Sequence, residues 1–425
     1  MFAKAVLDNG IRIISQEMPD HRSVSLGIWV ENGSRHESAR ENGISHFIEH
    51  LLFKGTERRS AAQIAEEMDA VGGVLNAFTA KEHTCYYAKV LDEDLPLAID
   101  LLTDIFLHSV FDSDEIERER SVILQEISQA EDTPDDYVHD LFSRDFYRDH
   151  PLARPICGSV ETVSTFGRQD FLTFFNSRYR PRRVVVSAAG HLRHEELVEA
   201  INEKLGAVSD PGYDGRSASP DGDGAPEMRS GIFQHNKSLE QVHLCLGMPG
   251  LHQTHPQRYA SYVLNTLLGG GMSSRLFQEI REKRGKAYSV YSFASLYKDV
   301  GYVGVYAGTS LESVEEVVEL ILEELQQLAA GNITEEEIRR TRGQLVGSMM
   351  LGLESTDSWM SHIARNEIYF GESITTDEIC RGIRAVSRDT VVDLASTLFR
   401  SQRMALSLLG DFKDNIKIKG LDLGH

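Results

Sequence analysis

The chain has 425 residues, 41% of them hydrophobic and 26% charged, with a formal charge of −21. That composition belongs to a globular protein of more than one domain with sizeable cores, and such acidity argues against a nucleic-acid partner, whose phosphates need clustered Lys and Arg. No apolar run approaches the roughly 18–20 residues that span a bilayer, and MFAKAVLDNGIRIIS at the start has neither a signal-peptide core nor an Arg-rich transit segment, so no membrane span and a cytoplasmic location are expected.

In chain order, the opening stretch reads as a strand after an Asn9-Gly10 turn, and VSLGIWVENGS (24–34) reads as a second strand. GISHFIEHLLFKGT (43–56) has the apolar spacing of an amphipathic helix. A further helix over 60–71 stops at Gly72-Gly73, and a β-rich stretch follows, VLNAFTAKEHTCYYAKVL (74–91). A long, acid-rich helix spans about 112–130. Residues 209–231 are rich in Gly, Pro, Ser and Asp and read as a linker.

Beyond it the same order returns. QVHLCLGMPGL (241–251) is a strand, 256–268 a helix, SRLFQEIREKRG (274–285) a second helix after a Gly-rich break, 287–309 a β-rich stretch, and about 333–351 a long helix. The expected architecture is α+β, a duplicated domain whose antiparallel-rich sheets pack against helices. The expected boundaries are 1–210, a linker over 211–231, and 232–425. Cys85, Cys157, Cys245 and Cys380 lie far apart, without a Cys-x-x-Cys pair, and read as core residues rather than thiolate ligands or disulfides.

His46, Glu49 and His50 fall at about 0°, 300° and 40° around a helix, an arc roughly 100° wide. Two imidazoles one turn apart can reach one zinc ion, with the glutamate beside them as a base. The order His-x-x-Glu-His inverts the more familiar His-Glu-x-x-His. The alternative is a pair of satisfied or exposed histidines. A catalytic zinc also needs a third protein ligand and an open position. The helix at 112–132 offers Glu119 and Glu126, seven residues apart and so on one stripe to within roughly 20°. Glu126 interrupts the apolar run SVILQEI. Glu119, taken alone, reads as a solvated acid in a charged helix start.

With Glu126 in place, the pattern resembles the inverted zinc signature of the insulinase/pitrilysin family, in particular its mitochondrial processing peptidase-like branch and bacterial two-domain relatives. The resemblance runs over nearly the whole chain, from LDNGIRIISQ through AYSVYS and beyond. It implies a zinc metalloendopeptidase acting on unstructured peptides, with His46, His50 and Glu126 as ligands, Glu49 as general base and Glu119 as a supporting carboxylate. Asn76 and Ala77 match the family's substrate-holding edge strand, a case of β-augmentation. Arg281 and Tyr288, in IREKRGKAYSV, match a pair that closes over the substrate and stabilises the reacting carbonyl.

Asp136 and Asp140 lie ten and fourteen residues beyond Glu126, a placement similar to acids that receive substrate arginine; the plainer reading is a solvated acidic loop. The second half has neither histidine nor acid at the ligand positions of YVLNTLLGGGMSSRL, nor an acid in RRTRGQLVGSMM where the first half has Glu126. One half should therefore hold metal and the other not. Relatives of this length work as pairs of chains closing like a clamshell, so a homodimer with two sites is implied. The competing expectation is a non-catalytic scaffold or assembly subunit of the same family.

Overall fold

A computed structural model describes residues 2–210, 224, 226–400, 403–414, 416 and 418. Most of the linker expected over 211–231 lies outside the described residues. The chain forms two compact units, the first made of Met1–Gln129, Arg154–Gly222 and Gly352–Ser373, the second of Ala130–Ala153, Asp223–Leu351 and Ile374–His425.

The first unit is built on a six-stranded sheet in the order β1-β2-β6-β3-β5-β4. Its strands are β1 (Phe2–Val6), β2 (Arg12–Glu17), β3 (Ser23–Val30), β4 (Val74–Thr79), β5 (Thr84–Leu91) and β6 (Val184–Gly190). The Asn9-Gly10 turn, with Gly10 at φ +95°, joins β1 and β2 as a hairpin. All pairings are antiparallel except β2 with β6. Helices α1 (Ile44–Leu52), α2 (Ala61–Ala70), α3 (Leu95–His108), α4 (Ser113–Glu131), α6 (Val160–Val163), α7 (Arg168–Arg178) and α8 (His194–Leu205) accompany it, while α5 (Pro134–Tyr147) belongs to the second unit.

The second unit repeats the sheet with one strand fewer, in the order β7-β11-β8-β10-β9. The strands are β7 (Gly231–Asn236), β8 (Val242–Pro249), β9 (Ala287–Leu296), β10 (Gly301–Thr309) and β11 (Ala405–Gly410), and the single parallel pair, β11 with β7, takes the place of β6 with β2. Its helices are α9 (Arg258–Gly269), α10 (Val314–Ala329), α11 (Glu335–Gly352), α13 (Thr376–Ala385) and α14 (Arg388–Leu398), while α12 (Thr356–Phe370) belongs to the first unit. The helix expected over 274–285 is instead centred on a π-helical turn, Phe277–Glu282.

The halves thus exchange one helix each, α5 for α12. The exchange explains why β3 is buried on both faces rather than alternating. Val24, Leu26, Ile28 and Val30 face the core under the unit's own helices. On the other face Trp29, with Ile14, Cys85 and Val185, packs against Met360, Ile363 and Ala364 of α12. Strand β8 is built alike, with Leu244 and Leu246 on one core and Cys245 packed among Val138, Leu141 and Phe142 of α5. Matching glycines admit the exchanged helices. A Cβ on Gly27 would come within 2.6 Å of Met360 Sδ, and one on Gly247 within 2.2 Å of the Phe142 ring. The cysteines form no disulfide, and all but the half-buried Cys157 are buried.

Candidate metal centre

Helix α1 buries Ile44, Phe47, Ile48, Leu51 and Leu52 against the first core. That apolar stripe leaves His46, Glu49 and His50 on the other face, as the helical spacing requires. The helix begins after Gly43, which at φ +97° has no side chain to cap it. Glu37 supplies the cap from outside: its Oε2 accepts from Gly43 N at 2.9 Å and its Oε1 from Ser45 N at 2.9 Å. Asn42 Nδ2 adds a third donor at 3.2 Å. Burial pushes the Glu37 carboxyl up to about 7, with the hydrogen bonds from Ser45, Gly43 and Asn42 pulling the other way.

Helix α4 brings both expected carboxylates to α1. Glu126 Oε2 lies 3.5 Å from His50 Nε2 and 3.8 Å from His46 Nε2. Among the described residues His46, His50 and Glu126 form the one group of three or more such side chains able to share a metal ion, each offering a ligand atom within 4.8 Å of the others. Donors bound tetrahedrally to zinc at 2.0–2.1 Å sit about 3.4 Å apart, so this donor set fits zinc with small side-chain adjustments. Two imidazoles and one carboxylate also match the composition of catalytic zinc sites that keep a fourth position open.

Glu119 is not the solvated acid that its charged surroundings suggest. It is 6% exposed, and its Oε2 lies 3.0 Å from His50 Nδ1. Its other oxygen, Oε1, takes the ammonium of Lys54 at 2.8 Å. A carboxylate on Nδ1 fixes the tautomer of His50 that leaves Nε2 free for a metal. His46 has no such brace: its Nδ1 is buried without a hydrogen bond among the described residues. Burial, and secondarily the neighbouring His50, lower the pKa of His46 to about 4, so it is neutral and able to ligate over the ordinary pH range.

Glu49 is held by the edge strand. Thr79 Oγ1, at the end of β4, donates to Glu49 Oε2 at 2.5 Å. Burial raises the Glu49 pKa, and the charge of Glu126 adds to the rise, against the lowering effects of Thr79 and His50. A raised carboxyl beside a metal site is suited to taking and returning a proton. Thr79, Lys54 and Glu37 were not identifiable in the sequence as site residues. The only available signal was Lys54 four positions after His50, within reach of the same helix face.

Strand β4 ends the sheet order, with β5 as its partner. Its side chains alternate, Asn76 exposed and Ala77 turned toward the core. Asn76 Oδ1 accepts from Ala77 N at 2.8 Å. The remaining expected residues are in the second unit. Arg281, in the π-helical turn, places its guanidinium 4.9 Å from the Phe277 ring and 5.2 Å from the Tyr288 ring. Tyr288, at the start of β9, is 78% exposed. Asp136 and Asp140 stand one turn apart on α5, the first exposed and the second half-buried, so the acidic loop is a helix. At the positions of the second unit that answer to α1 and α4, helices α9 and α11 carry no histidine.

Two family models match the chain: Insulinase (Peptidase family M16) over residues 12–160 and Peptidase M16 inactive domain over 165–345. An uncharacterized zinc protease of Streptomyces coelicolor is 44% identical over 97% of this chain and 90% of its own length. Another, from Bacillus subtilis, is 43% identical over 96% of this chain and 98% of its own length. Among solved structures, a protease from Helicobacter pylori superposes with a TM-score of 0.88 at 21% identity, covering 96% of this chain and 99% of that one. A Pseudomonas fluorescens structure described as a peptidase M16 inactive domain gives 0.87 at 18% identity, covering 98% and 100%.

Proposed function

This chain belongs to the insulinase (M16) family and is a zinc metallopeptidase, and from that premise we propose that it is an endopeptidase for unstructured peptides whose zinc is held by His46, His50 and Glu126. The observation that carries the reading is the convergence of those three donors within 4.8 Å, with Glu49 on the same helix face. When bound, zinc supplies Lewis acidity toward the attacking water and the scissile carbonyl. Glu49 takes the proton of the attacking water on Oε1, since Oε2 is committed to Thr79, and later passes that proton to the leaving amine. The peptide lies along the open edge of β4, where its carbonyl replaces Asn76 Oδ1 as the acceptor for Ala77 N–H. Added this way, it is read mainly through its backbone.

Arg281 and Tyr288 donate to the oxyanion that develops on the carbonyl, and in a closed homodimer they come from the partner subunit. Asp136 and Asp140 give a preference for basic residues near the cleaved bond; equal cleavage of Arg and Ala variants of one peptide would remove that preference. The rival scaffold role fits poorly with a complete donor set and an adjacent base. No helix among the described residues is long and apolar enough to cross a membrane.

The test combines zinc analysis with cleavage of quenched peptides by wild type and Glu49→Gln. Both forms should bind zinc stoichiometrically, and Glu49→Gln should lose roughly 10²–10⁴-fold in kcat, the usual contribution of a general base. A zinc-loaded wild type that cuts no peptide, basic or otherwise, would favour the scaffold role.

A further inference from the structure

We infer that Lys54 is a positioning residue for the metal, acting through Glu119 on His50. The inference rests on the reading that His46, His50 and Glu126 hold the zinc. Lys54 lies just beyond the last turn of α1, and its ammonium sits 2.8 Å from Glu119 Oε1. The other oxygen of that carboxylate is 3.0 Å from His50 Nδ1. Both oxygens of a buried carboxylate are thus committed, one to a cation and one to a ligand histidine. A carboxylate with only one partner can rotate about its terminal torsion, which is broad in glutamate; Lys54 closes that freedom. His50 is the only one of the two ligand histidines braced in this way, because His46 Nδ1 makes no hydrogen bond among the described residues. The orientation of the imidazole pair toward one ion therefore depends on the brace that Lys54 completes.

A charge-balancing role for Lys54 would have the opposite sign. Glu49, Glu119 and Glu126 surround the site, and against a dication they leave one negative charge uncompensated, which Lys54 offsets. If charge balance were its whole function, neutralising Lys54 would make the site more negative and zinc would bind tighter. The Lys54 side chain is 31% exposed, so its long-range field is screened by solvent and salt. Loss of an outer partner of a ligand typically weakens metal binding 10–100-fold. The positioning effect should win.

The experiment is zinc competition against a chelator of known affinity, using metal-stripped full-length protein. Lys54→Met should bind zinc about tenfold more weakly at the low end of that range, with the metal-free form still folding cooperatively. Lys54→Arg, which still offers N–H donors to Glu119, should recover most of the affinity. In a Glu119→Gln background, Lys54→Met should cost nothing further, since residues acting in series are not additive. If Lys54→Met proves unstable, Lys54→Gln provides the same comparison. Unchanged or tighter zinc binding in the neutral variants would overturn the inference, as would an equal loss in the Glu119→Gln background. His50→Ala and Glu126→Ala serve as controls: if they keep wild-type zinc affinity, the assignment of the site itself fails, whatever Lys54 does.

Discussion

The two units share one sheet plan and differ in what two matching helices carry. In the first, α1 and α4 bring two imidazoles and two carboxylates together. In the second, α9 buries Ala260, Val263, Leu264, Leu267 and Leu268 and offers no ligand, and α11 has arginines and glycines along its length. The strand beside α1 ends in Thr79, which holds Glu49; β9, in the matching place, carries the exposed Tyr288 as its second residue. The packing faces of the elements are thus alike in the two units, where volume and burial constrain substitution, and the side chains off those faces differ. One unit carries the metal-ligand set, and the other has no counterpart to it on α9 and α11.

The largest expected effect tests the shared plan. If the exchanged helices are equivalent, removing the anchor of either should destabilise the fold by a similar amount. Phe142→Ala, at a fully buried ring against Gly247, should cost about 3–5 kcal/mol, and Met360→Ala, opposite Gly27, about 2–5 kcal/mol. Chemical denaturation of each variant measures this, and a negligible cost for one of them would break the equivalence. Next comes the difference between units. Tyr288→Phe should lower kcat by about 10²–10³-fold with zinc content unchanged, the usual loss for one oxyanion donor. Wild-type kcat in that variant would confine the chemistry to the first unit.

Within the first unit, Thr79→Val removes one hydrogen bond to an ionised partner and should lower kcat about tenfold. Thr79→Ser should restore it, with KM little changed in both. A separate effect is on the stability of the metal-free protein. The His46 pKa is lowered by burial to about 4, below its unfolded value. The unfolded chain therefore binds the extra proton first as pH falls, and the stability contributed by neutral His46 is present above about pH 6.5 and lost as pH drops through about 4. Urea unfolding of the metal-free form across that window should show the decline, and His46→Gln should reduce it without abolishing it, because burial lowers His83 to about 4 as well. In the second unit burial also lowers the pKa of His139 and of His243, so the comparison turns on the single-residue variant and not on the wild type alone.

Much of the site could be read directly from the chain. The helical period places His46, Glu49 and His50 on one face, and the apolar residues between them determine which face is buried. The repeated order of strands and helices indicated the duplicated α+β plan, because hydrophobic periodicity is a local property. Glu126 could be singled out because an acid within SVILQEI must have a partner. The resemblance to a family then supplied Arg281 and Tyr288, which no local pattern marks.

What the sequence could not reveal depends on contacts between distant segments. Periodicity shows that β3 and β8 have faces to bury, but not which helix covers them, so the exchange of α5 and α12 had no local sign. Glu119 sits among charges on α4 and looks solvated until α1 brings His50 and Lys54 to it across more than sixty residues. Thr79 was one polar residue in an edge strand until the hairpin set its hydroxyl against Glu49, and Glu37 an acid in a loop until α1 began without a cap of its own. The sequence by itself determined which side chains could bind a metal, because that follows from residue type and helical spacing. The tertiary structure alone decided which of them are braced, capped and oriented, because hydrogen bonds to buried groups depend on where the chain returns.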